Sequence, residues 1–398
     1  MTAPTTEAAL DPDALDAAIG DATRAVGRLA EKLGVRFPDD TTTGGRYLLR
    51  PAPDGLPEGS NVGWTTCFVP GTQWLSYEVT GDTTFRTYGE AHVESFVDRV
   101  GRGLDLETHD LGFLYTLSCV APARLLADER ARDAALAAAG HLMVRFLEPA
   151  GILQAWGDLD DPAQRGRTII DSLMNTPLLF WASQAGRDPR FADAAARHVR
   201  QLRDHILRED DSTFHTFYWD PETGDALRGG TEQGQADGSC WARGQAWGIL
   251  GFSLNYRYLR DRTLLDAAER CARYFLAHLP ADGVPVWDLM FGVDSGEPRD
   301  SSAAAIAACG LDELAGHLED GGEEAAARAT ELRAAARRIL AALVEGYAPA
   351  DGASDALLLH GVYDRPKGVG VDEGTLWGDY FYLEALVRAA RPEWTPYW

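Results

Sequence analysis

Residues 231–251 read TEQGQADGSCWARGQAWGILG, a stretch that differs sharply from the alanine-rich sequence around it. Turn and cap residues at 237–239 precede a run that predicts a helix starting near Trp241. On such a helix Arg243 and Trp247 lie four positions apart on one face. A guanidinium beside two indoles near a helix N-terminus suits a planar anion attached to a ring. In the alternative interpretation, the tryptophans belong to the core and Arg243 is a surface charge.

A repeated pattern extends outward from this stretch in both directions. Turns that contain Asp, each followed by an Ala-rich amphipathic helix, occur at 80–85, 127–133, 185–191, 258–264 and 317–323. Their spacing of roughly 50 to 75 residues is about that of two helices with connections. About twelve helices are predicted, starting near residues 12, 71, 83, 110, 128, 168, 189, 241, 262, 301, 323 and 372. Strand candidates are confined to 213–219 and 284–287.

Twelve helices in repeated hairpins predict an all-α fold, an (α/α)6 barrel or toroid. The helices that follow the Asp turns are expected in the outer ring, and the alternating helices in the inner ring. The inner helices carry unusual polar and aromatic residues at their N-terminal ends, where a toroid places its pocket. We expect residues 1–11 to be a disordered lead and residues 12–398 to form a single (α/α)6 catalytic domain.

The composition excludes several classes of partner. The net charge is −24 and no Lys/Arg cluster stands out, so nucleic acid and membrane are not expected as partners. The cysteines are scattered, without a CxxC pair, and predict neither disulfides nor a zinc site; they are Cys67, Cys119, Cys240, Cys271 and Cys309. The first twenty residues lack a basic region followed by an apolar one, so no secretory signal is expected. We therefore expect a cytoplasmic protein.

The sharpest candidates for chemistry are two aspartates at predicted inner-helix starts, Asp110 in THDLGFLY and Asp171 in TIIDSLMN. Aspartate at a helix start is usually only a cap. Several such residues at one end of a toroid would instead converge on one mouth. Apolar neighbours and a second carboxylate raise the pKa of Asp171, as a general acid requires. The side chains that could hydrogen-bond to or stack on a sugar are those of His109, Trp156, His215, Gln233 and Arg243.

No metal or other cofactor is predicted. The sequence contains neither HExxH nor clustered Asp/His ligand spacing. The glycine-rich run GVGVDEG at 368–374 lacks the GxGxxG spacing and a preceding βαβ unit, and GxSxG is absent.

With these pieces in place, the chain resembles the unsaturated glucuronyl hydrolases of glycoside hydrolase family 88. The matching stretches run from about residue 61 onward; they are NVGWTTCFVPGTQWLSYEVTGD, HDLGFLY, IIDSLMN, EQGQADGSCWARGQAWGILGF, EPRDSSAAAIAACGLDEL and GVDEGTLWGDYFYLEAL. The resemblance implies an (α/α)6 barrel that removes a Δ4,5-unsaturated glucuronic acid from the non-reducing end of oligosaccharides made by polysaccharide lyases. It also implies hydration of a vinyl ether in place of direct attack at the anomeric carbon.

The resemblance assigns roles residue by residue. Asp171 is the general acid/base, and Asp110 holds the sugar hydroxyls and keeps the pKa of Asp171 high. The polar groups around the sugar and its carboxylate are His215, Gln233 and Arg243. The apolar walls are Trp64, Trp156, Trp241 and Trp247.

Substrate preference depends on the loop before the last inner helix, which reads GVYDRPKGVGVDEG. The loop resembles a Ser- and Lys-containing loop in relatives that prefer sulfated fragments, but it lacks the serines. Asp364 would repel sulfate, while Arg365 and Lys367 could attract it, so an unsulfated substrate is expected. Two alternatives stay open: an ordinary toroidal glycosidase on saturated sugars with Asp110 and Asp171 as the acid/base pair, and a non-catalytic sugar-binding toroid.

Overall fold

The computed structural model describes residues 10–162, 164–319 and 321–398, so residues 1–9 of the expected lead lie outside the described part. The helices are α1 (Pro12–Leu33), α2 (Phe68–Thr80), α3 (Thr83–Arg102), α4 (Leu111–Tyr115), α5 (Ala121–Leu126), α6 (Glu129–Val144), α7 (Thr176–Gly186), α8 (Pro189–His205), α9 (Ala242–Leu259), α10 (Arg262–His278), α11 (Ser301–Leu318), α12 (Glu323–Gly346) and α13 (Leu376–Ala390). A π-helical turn at 116–120 joins α4 to α5. Within the described ranges, no helix has the length and hydropathy needed to cross a membrane.

Helices α2, α4–α5, α7, α9, α11 and α13 form the inner ring, and α13 packs back against α2 to close it. The (α/α)6 prediction is confirmed. Four outer helices begin where the Asp turns predict, because the Asp side chain accepts a hydrogen bond from a free backbone N–H of the first turn; these caps are Asp82, Asp128, Asp188 and Asp261. Helix α12 also begins in its predicted turn, but its N-cap is Gly322 without a side-chain cap, and α1, which follows none of the predicted turns, is capped by Asp11.

The inner helices α9, α11 and α13 are buried on nearly all sides, and small residues let them approach closely. A Cβ added at Gly310 of α11 would lie 2.8 Å from the backbone nitrogen of Leu250 in α9. The axis of the ring is filled by aromatic side chains, where Phe381 lies 5.2 Å from Trp247 and 5.9 Å from Trp398 between ring centroids. One end of the barrel is therefore solid core.

Short antiparallel strands precede three inner helices and lie at the opposite end of the barrel from this core. The strands are β1 (Phe146–Leu147), β2 (Ile152–Leu153), β3 (Arg167–Ile169), β4 (Thr216–Trp219), β5 (Ala226–Gly230), β6 (Gly361–Asp364) and β7 (Val369–Glu373). They pair as β1–β2, β3–β4–β5 and β6–β7. The sheet strand β4 falls within the predicted candidate at 213–219, whereas 284–287 forms only an isolated bridge between Val286 and Arg299.

Two predicted helix starts are wrong. The segment at 168 enters β3 and then a 3-10 helix at 170–174 before α7 begins, and the segment at 371–373 belongs to β7. Both contain β-branched residues followed by turn residues, which favours extended backbone.

The segment before α2 fastens the two ends of the ring together. Thr41 forms an isolated bridge with Thr375, and the Tyr47 hydroxyl donates to Asp379 Oδ2 at 2.9 Å. Lys32 Nζ lies 2.5 Å from Asp355 Oδ2. The last inner helix is thereby held by residues more than 300 positions earlier.

Candidate active site

A cleft of about 470 Å³ opens at the N-terminal ends of the inner helices. Aromatic and carboxylate side chains dominate its surface. Its lining residues are Trp64, Asp110, Trp156, Ile169, Asp171, His215, Glu232, Gln233, Tyr363, Asp364, Lys367 and Val369. The structure thus brings six of the ten predicted site residues to one surface, although they are spread over 170 positions of the sequence.

A second cavity of similar volume lies between α11, α12 and α13, but four of its six charged lining residues are ion-paired, namely Asp312, Glu319, Arg333 and Arg388. Arg333 contacts both Glu319 and Asp312. Arg388 Nη2 in the second cavity is buried without a hydrogen-bond partner among the described residues, and so are Asp171 Oδ1 and His215 Nε2 on two residues that line the cleft. Because buried polar groups are normally paired and the cleft also holds the carboxyl groups of Asp110 and Asp171, the cleft is the better candidate for a ligand site.

Asp110 occupies the N-cap position of α4 but does not cap the helix with its side chain. Its Oδ2 accepts a hydrogen bond from the Thr108 hydroxyl at 2.8 Å, which turns the carboxylate toward the cleft. Burial raises the pKa of Asp110 to about 6, although Thr108, Asn175 and the more distant Arg145 act to lower it. The Asp110 carboxyl group is therefore mostly ionised at neutral pH, but its pKa lies close below that pH.

Asp171 lies on the 3-10 helix between β3 and α7, among buried apolar residues. Burial, and next the negative charge of Asp110, raise its pKa well above the usual range, while Arg243 acts to lower it. Two neighbouring carboxylates resist ionising together, so the pair retains one proton toward neutral pH. The higher pKa places that proton on Asp171.

His109 links the two carboxyl groups. Its Nε2 lies 3.3 Å from Asp110 Oδ1 and 3.7 Å from Asp171 Oδ1, and its side chain is 1% exposed. Burial, together with the charge of Arg145, lowers the pKa of His109 to about 3, so the imidazole is neutral. A neutral imidazole can lie beside both carboxyl groups without adding a charge that would depress their pKa values.

His215 offers a hydrogen-bond donor to the cleft. Its Nδ1 accepts from the backbone N–H of Glu232 at 3.2 Å and lies 2.6 Å from the Thr216 hydroxyl. Burial lowers the pKa of His215 to about 3. With Nδ1 acting as acceptor, the single proton of the neutral ring is on Nε2. That N–H is available to a substrate.

The aromatic walls come from both halves of the chain. Trp64 donates from Nε1 to the Tyr363 hydroxyl at 3.0 Å and stacks on Trp377 at 5.3 Å. Gln233 Nε2 donates to the Tyr363 carbonyl at 3.2 Å. Trp156 also lines the cleft and precedes β3 in the sequence. Sequence reasoning missed Tyr363, because its segment is predicted to be a loop, whereas it forms strand β6.

Arg243 lies behind the cleft surface, although the sequence predicts it as a clamp on the substrate carboxylate. It is 1% exposed and forms an ion pair with Asp300 at 3.1 Å. It also donates to the carbonyl of Val362, and to that of Tyr363 at 2.8 Å. Its guanidinium is thus occupied by the β6–β7 hairpin. The indole of Trp241 lies 4.2 Å away and also faces His215 edge-on, just behind the surface.

Trp247 is a core residue, although the sequence predicts it as an apolar wall of the substrate site. It is 1% exposed and packs against Phe113 and Phe381 at the barrel axis. One helical turn separates Arg243 from Trp247, so the shared face of α9 passes from the back of the cleft into the solid end of the barrel.

His198 was also missed by sequence reasoning. It lies on the outer helix α8 and is fully buried. Its Nδ1 accepts from the backbone N–H of Leu153 at 3.0 Å, so its proton is on Nε2, which donates to Ser172 Oγ at 2.8 Å. Ser172 in turn donates to the Ile169 carbonyl at 2.6 Å. The ring thereby holds the turn that carries Asp171 from behind.

Comparison with known proteins gives consistent matches. The sequence model described as Glycosyl Hydrolase Family 88 matches residues 51–311. The chain is 45% identical over 382 residues to the unsaturated glucuronyl hydrolase of Bacillus sp. (strain GL1), covering 96% of this chain and 98% of the relative. It is 45% identical over 363 residues to the unsaturated chondroitin disaccharide hydrolase of Streptococcus pyogenes serotype M1, covering 91% and 87%.

Solved structures agree with these matches. The crystal structure of unsaturated glucuronyl hydrolase from Streptococcus agalactiae superimposes with a TM-score of 0.92 at 39% identity, covering 98% of this chain and 95% of that chain. A variant of the same enzyme complexed with dGlcA-GalNAc6S gives a TM-score of 0.82 at 35% identity, covering 100% of both chains.

Proposed function

The chain belongs to glycosyl hydrolase family 88, and on that premise we propose that it is an unsaturated glucuronyl hydrolase. It removes a Δ4,5-unsaturated glucuronic acid from the non-reducing end of lyase-generated oligosaccharides, within the catalytic domain at 12–398. The observation that carries the proposal is the carboxyl pair that lines the cleft, in which Asp171 keeps its proton beside ionised Asp110.

The mechanism follows from that proton. Protonated Asp171 delivers its proton to carbon 4 of the double bond, and the positive charge at carbon 5 is shared with the ring oxygen. The Asp171 carboxylate then takes a proton from a water molecule, which adds at carbon 5. The hemiketal opens by breaking the bond between carbon 5 and the ring oxygen, and the resulting hemiacetal at carbon 1 releases the aglycone. Because the attack is not at the anomeric carbon, the carboxylate separation does not predict inversion or retention.

Five other residues that line the cleft contact the substrate. Asp110 accepts from sugar hydroxyls and keeps the pKa of Asp171 high. His215 Nε2 and the Gln233 amide donate hydrogen bonds to the uronate. Trp64 and Trp156 flank the sugar ring. Arg243 acts indirectly. It holds the β6–β7 hairpin, and its charge acts to lower the pKa of Asp171.

The β6–β7 hairpin favours an unsulfated aglycone. Lys367 Nζ lies 2.7 Å from Asp364 Oδ2, and Arg365 Nε lies 3.0 Å from Glu297 Oε2. Each cation that could attract sulfate is already beside a carboxylate, so a sulfate would have to displace it. We also place the enzyme in the cytoplasm, where its five buried free cysteines suit a reducing environment.

A panel of lyase-made disaccharides tests the proposal. Loss of the ultraviolet absorbance of the conjugated double bond should follow addition of the enzyme, with higher kcat/KM on unsulfated disaccharides than on their sulfated counterparts. Release of sugar only from saturated glycosides would show an ordinary glycosidase instead. Binding of the disaccharides without loss of absorbance would show a sugar-binding toroid.

The pH dependence of kcat/KM should be bell-shaped. Activity is expected to fall below about pH 6, where Asp110 takes up a proton, and again at higher pH, where Asp171 loses its proton. The charge of Asp110 raises the pKa of Asp171, so Asp110→Asn should lower that pKa and move the alkaline limb of the residual activity to lower pH. An alkaline limb that stays in place would contradict the coupling of the two carboxyl groups.

His198 should act as a positioning residue. His198→Leu removes the donor to Ser172, so the turn with Asp171 can shift, and kcat is expected to fall on the order of tenfold to a hundredfold with KM little changed. His198→Gln places an amide near the Nε2 position and should recover more kcat than His198→Asn. Equal kcat in the two amide variants, with only thermal stability reduced, would indicate a purely structural role.

A further inference from the structure

One wall of the cleft continues past its mouth on the β3–β4–β5 sheet. Ile169 of β3 lines the cleft, and Arg167, two positions earlier, lies on the same face because side chains alternate along a strand. Arg167 pairs across the sheet with Tyr218, which pairs with Arg228. This second row lies roughly 7 Å farther out than the row of Ile169.

Contacts join this row to the cleft. The Arg167 guanidinium carbon lies 5.3 Å from the ring centroid of Trp156, which lines the cleft. The Arg228 guanidinium carbon lies 4.1 Å from the ring centroid of Tyr218. The Tyr218 hydroxyl donates at 3.0 Å to Glu232, another lining residue. We call Trp156, Arg167, Tyr218 and Arg228 the Arg–Tyr platform.

The charges of the platform are unusual for this chain. Neither Arg167 nor Arg228 has a carboxylate within ion-pair distance among the described residues, whereas the neighbouring Arg165 pairs with Glu222 at 2.9 Å. Among the described residues, Arg167 donates a hydrogen bond to the Gln164 carbonyl at 3.0 Å. The two arginines lack ion-pair partners among the described residues in a protein of net charge −24, and the nearest carboxylate contact of the row is that of Glu232 with the Tyr218 hydroxyl. Two unpaired guanidinium groups on one strip of surface can attract an anion.

We propose that the Arg–Tyr platform binds an acidic sugar of the aglycone beyond the first one. This inference rests on the proposed function. The first aglycone sugar occupies the mouth between Trp156 and the β6–β7 hairpin, so the next sugar extends over Tyr218. A phenol ring supplies a flat face, and guanidinium forks suit carboxylate or sulfate. The substrates would thus be fragments of a polysaccharide in which acidic sugars recur.

Matched tetrasaccharides test the platform. All begin with the unsaturated uronate and a neutral second sugar, and the third sugar is a uronate, a sulfated uronate or a neutral sugar. At low salt, kcat/KM should be about fivefold to tenfold higher with either acidic third sugar than with the neutral one, corresponding to about 1 kcal/mol, and high salt should reduce the difference. A preference for one acidic form identifies carboxylate or sulfate as the group bound.

Arg228→Gln should abolish most of this preference, measured as the ratio of acidic to neutral tetrasaccharide. Arg190→Gln, on the exposed N-terminal turn of α8, is the matched control and should preserve the ratio. Equal rates on all three tetrasaccharides, or a ratio unchanged in Arg228→Gln, would overturn the platform while disaccharide turnover still supports the proposed function. Absence of turnover on every unsaturated substrate would overturn both.

Discussion

Replacing Asp171 with asparagine is expected to lower kcat by about 10³- to 10⁴-fold, near the upper range for a group that transfers protons. The variant retains nearly the same shape and hydrogen-bonding capacity, but it can neither deliver a proton to carbon 4 nor take one from water. The side chain is already uncharged in the proposed ground state, so the substrate should lose little affinity. Steady-state loss of double-bond absorbance gives kcat, and calorimetric titration with an unsaturated disaccharide gives Kd.

The control is Asp193→Asn, an exposed aspartate on α8, which should leave both quantities unchanged. If Asp171→Asn kept more than about a tenth of wild-type kcat, the proton would have to come from another group, and Asp110 would be the first to examine. If instead Kd rose as strongly as kcat fell, Asp171 would be a binding residue and the assignment of general acid would be wrong.

The ring architecture could be predicted from the sequence because the starts of the outer helices carry local sequence signals. In four of the five Asp turns the Asp side chain accepts from a backbone N–H of the helix that follows directly, so the signal and the structure lie within a few residues. The hairpins were harder to predict. The short strand β3 is stabilised by pairing with β4, almost 50 residues later, and periodicity over three residues cannot reveal such a partner.

The same distinction between local and distant signals applies to the candidate site. Asp110 and Asp171 could be singled out because an aspartate among apolar neighbours is conspicuous in sequence. The direction of Arg243 could not, since it depends on Asp300 and on two carbonyls of a hairpin about 120 residues away. Asp300 shows the converse case: its motif resembles those of Asp110 and Asp171, yet its Oδ1 caps α11 by accepting from Ser302.

Removing the charge of Arg243 is expected to destabilise the fold more than any other change considered. Arg243→Met keeps a long apolar side chain but leaves the carboxylate of Asp300 fully buried without its cation. Loss of one partner of a buried ion pair typically costs about 3–5 kcal/mol. Urea denaturation should show this loss in the free energy of unfolding, and Arg190→Met provides an exposed arginine as control. The double variant Arg243→Met/Asp300→Asn should recover part of the loss.

The same variant separates two roles for Arg243 in catalysis. If the guanidinium holds the hairpin, the rise of KM in Arg243→Met should accompany the loss of stability, because the carbonyls of Val362 and Tyr363 lose their donor. If Arg243 instead binds the substrate carboxylate directly, KM should rise equally in both variants and stability should change little. The charge gives a further measure: Arg243 lowers the pKa of Asp171, so its removal should raise that pKa and move the alkaline limb of kcat/KM to higher pH. That shift is opposite in direction to the one expected for Asp110→Asn, so general damage to the cleft cannot explain both.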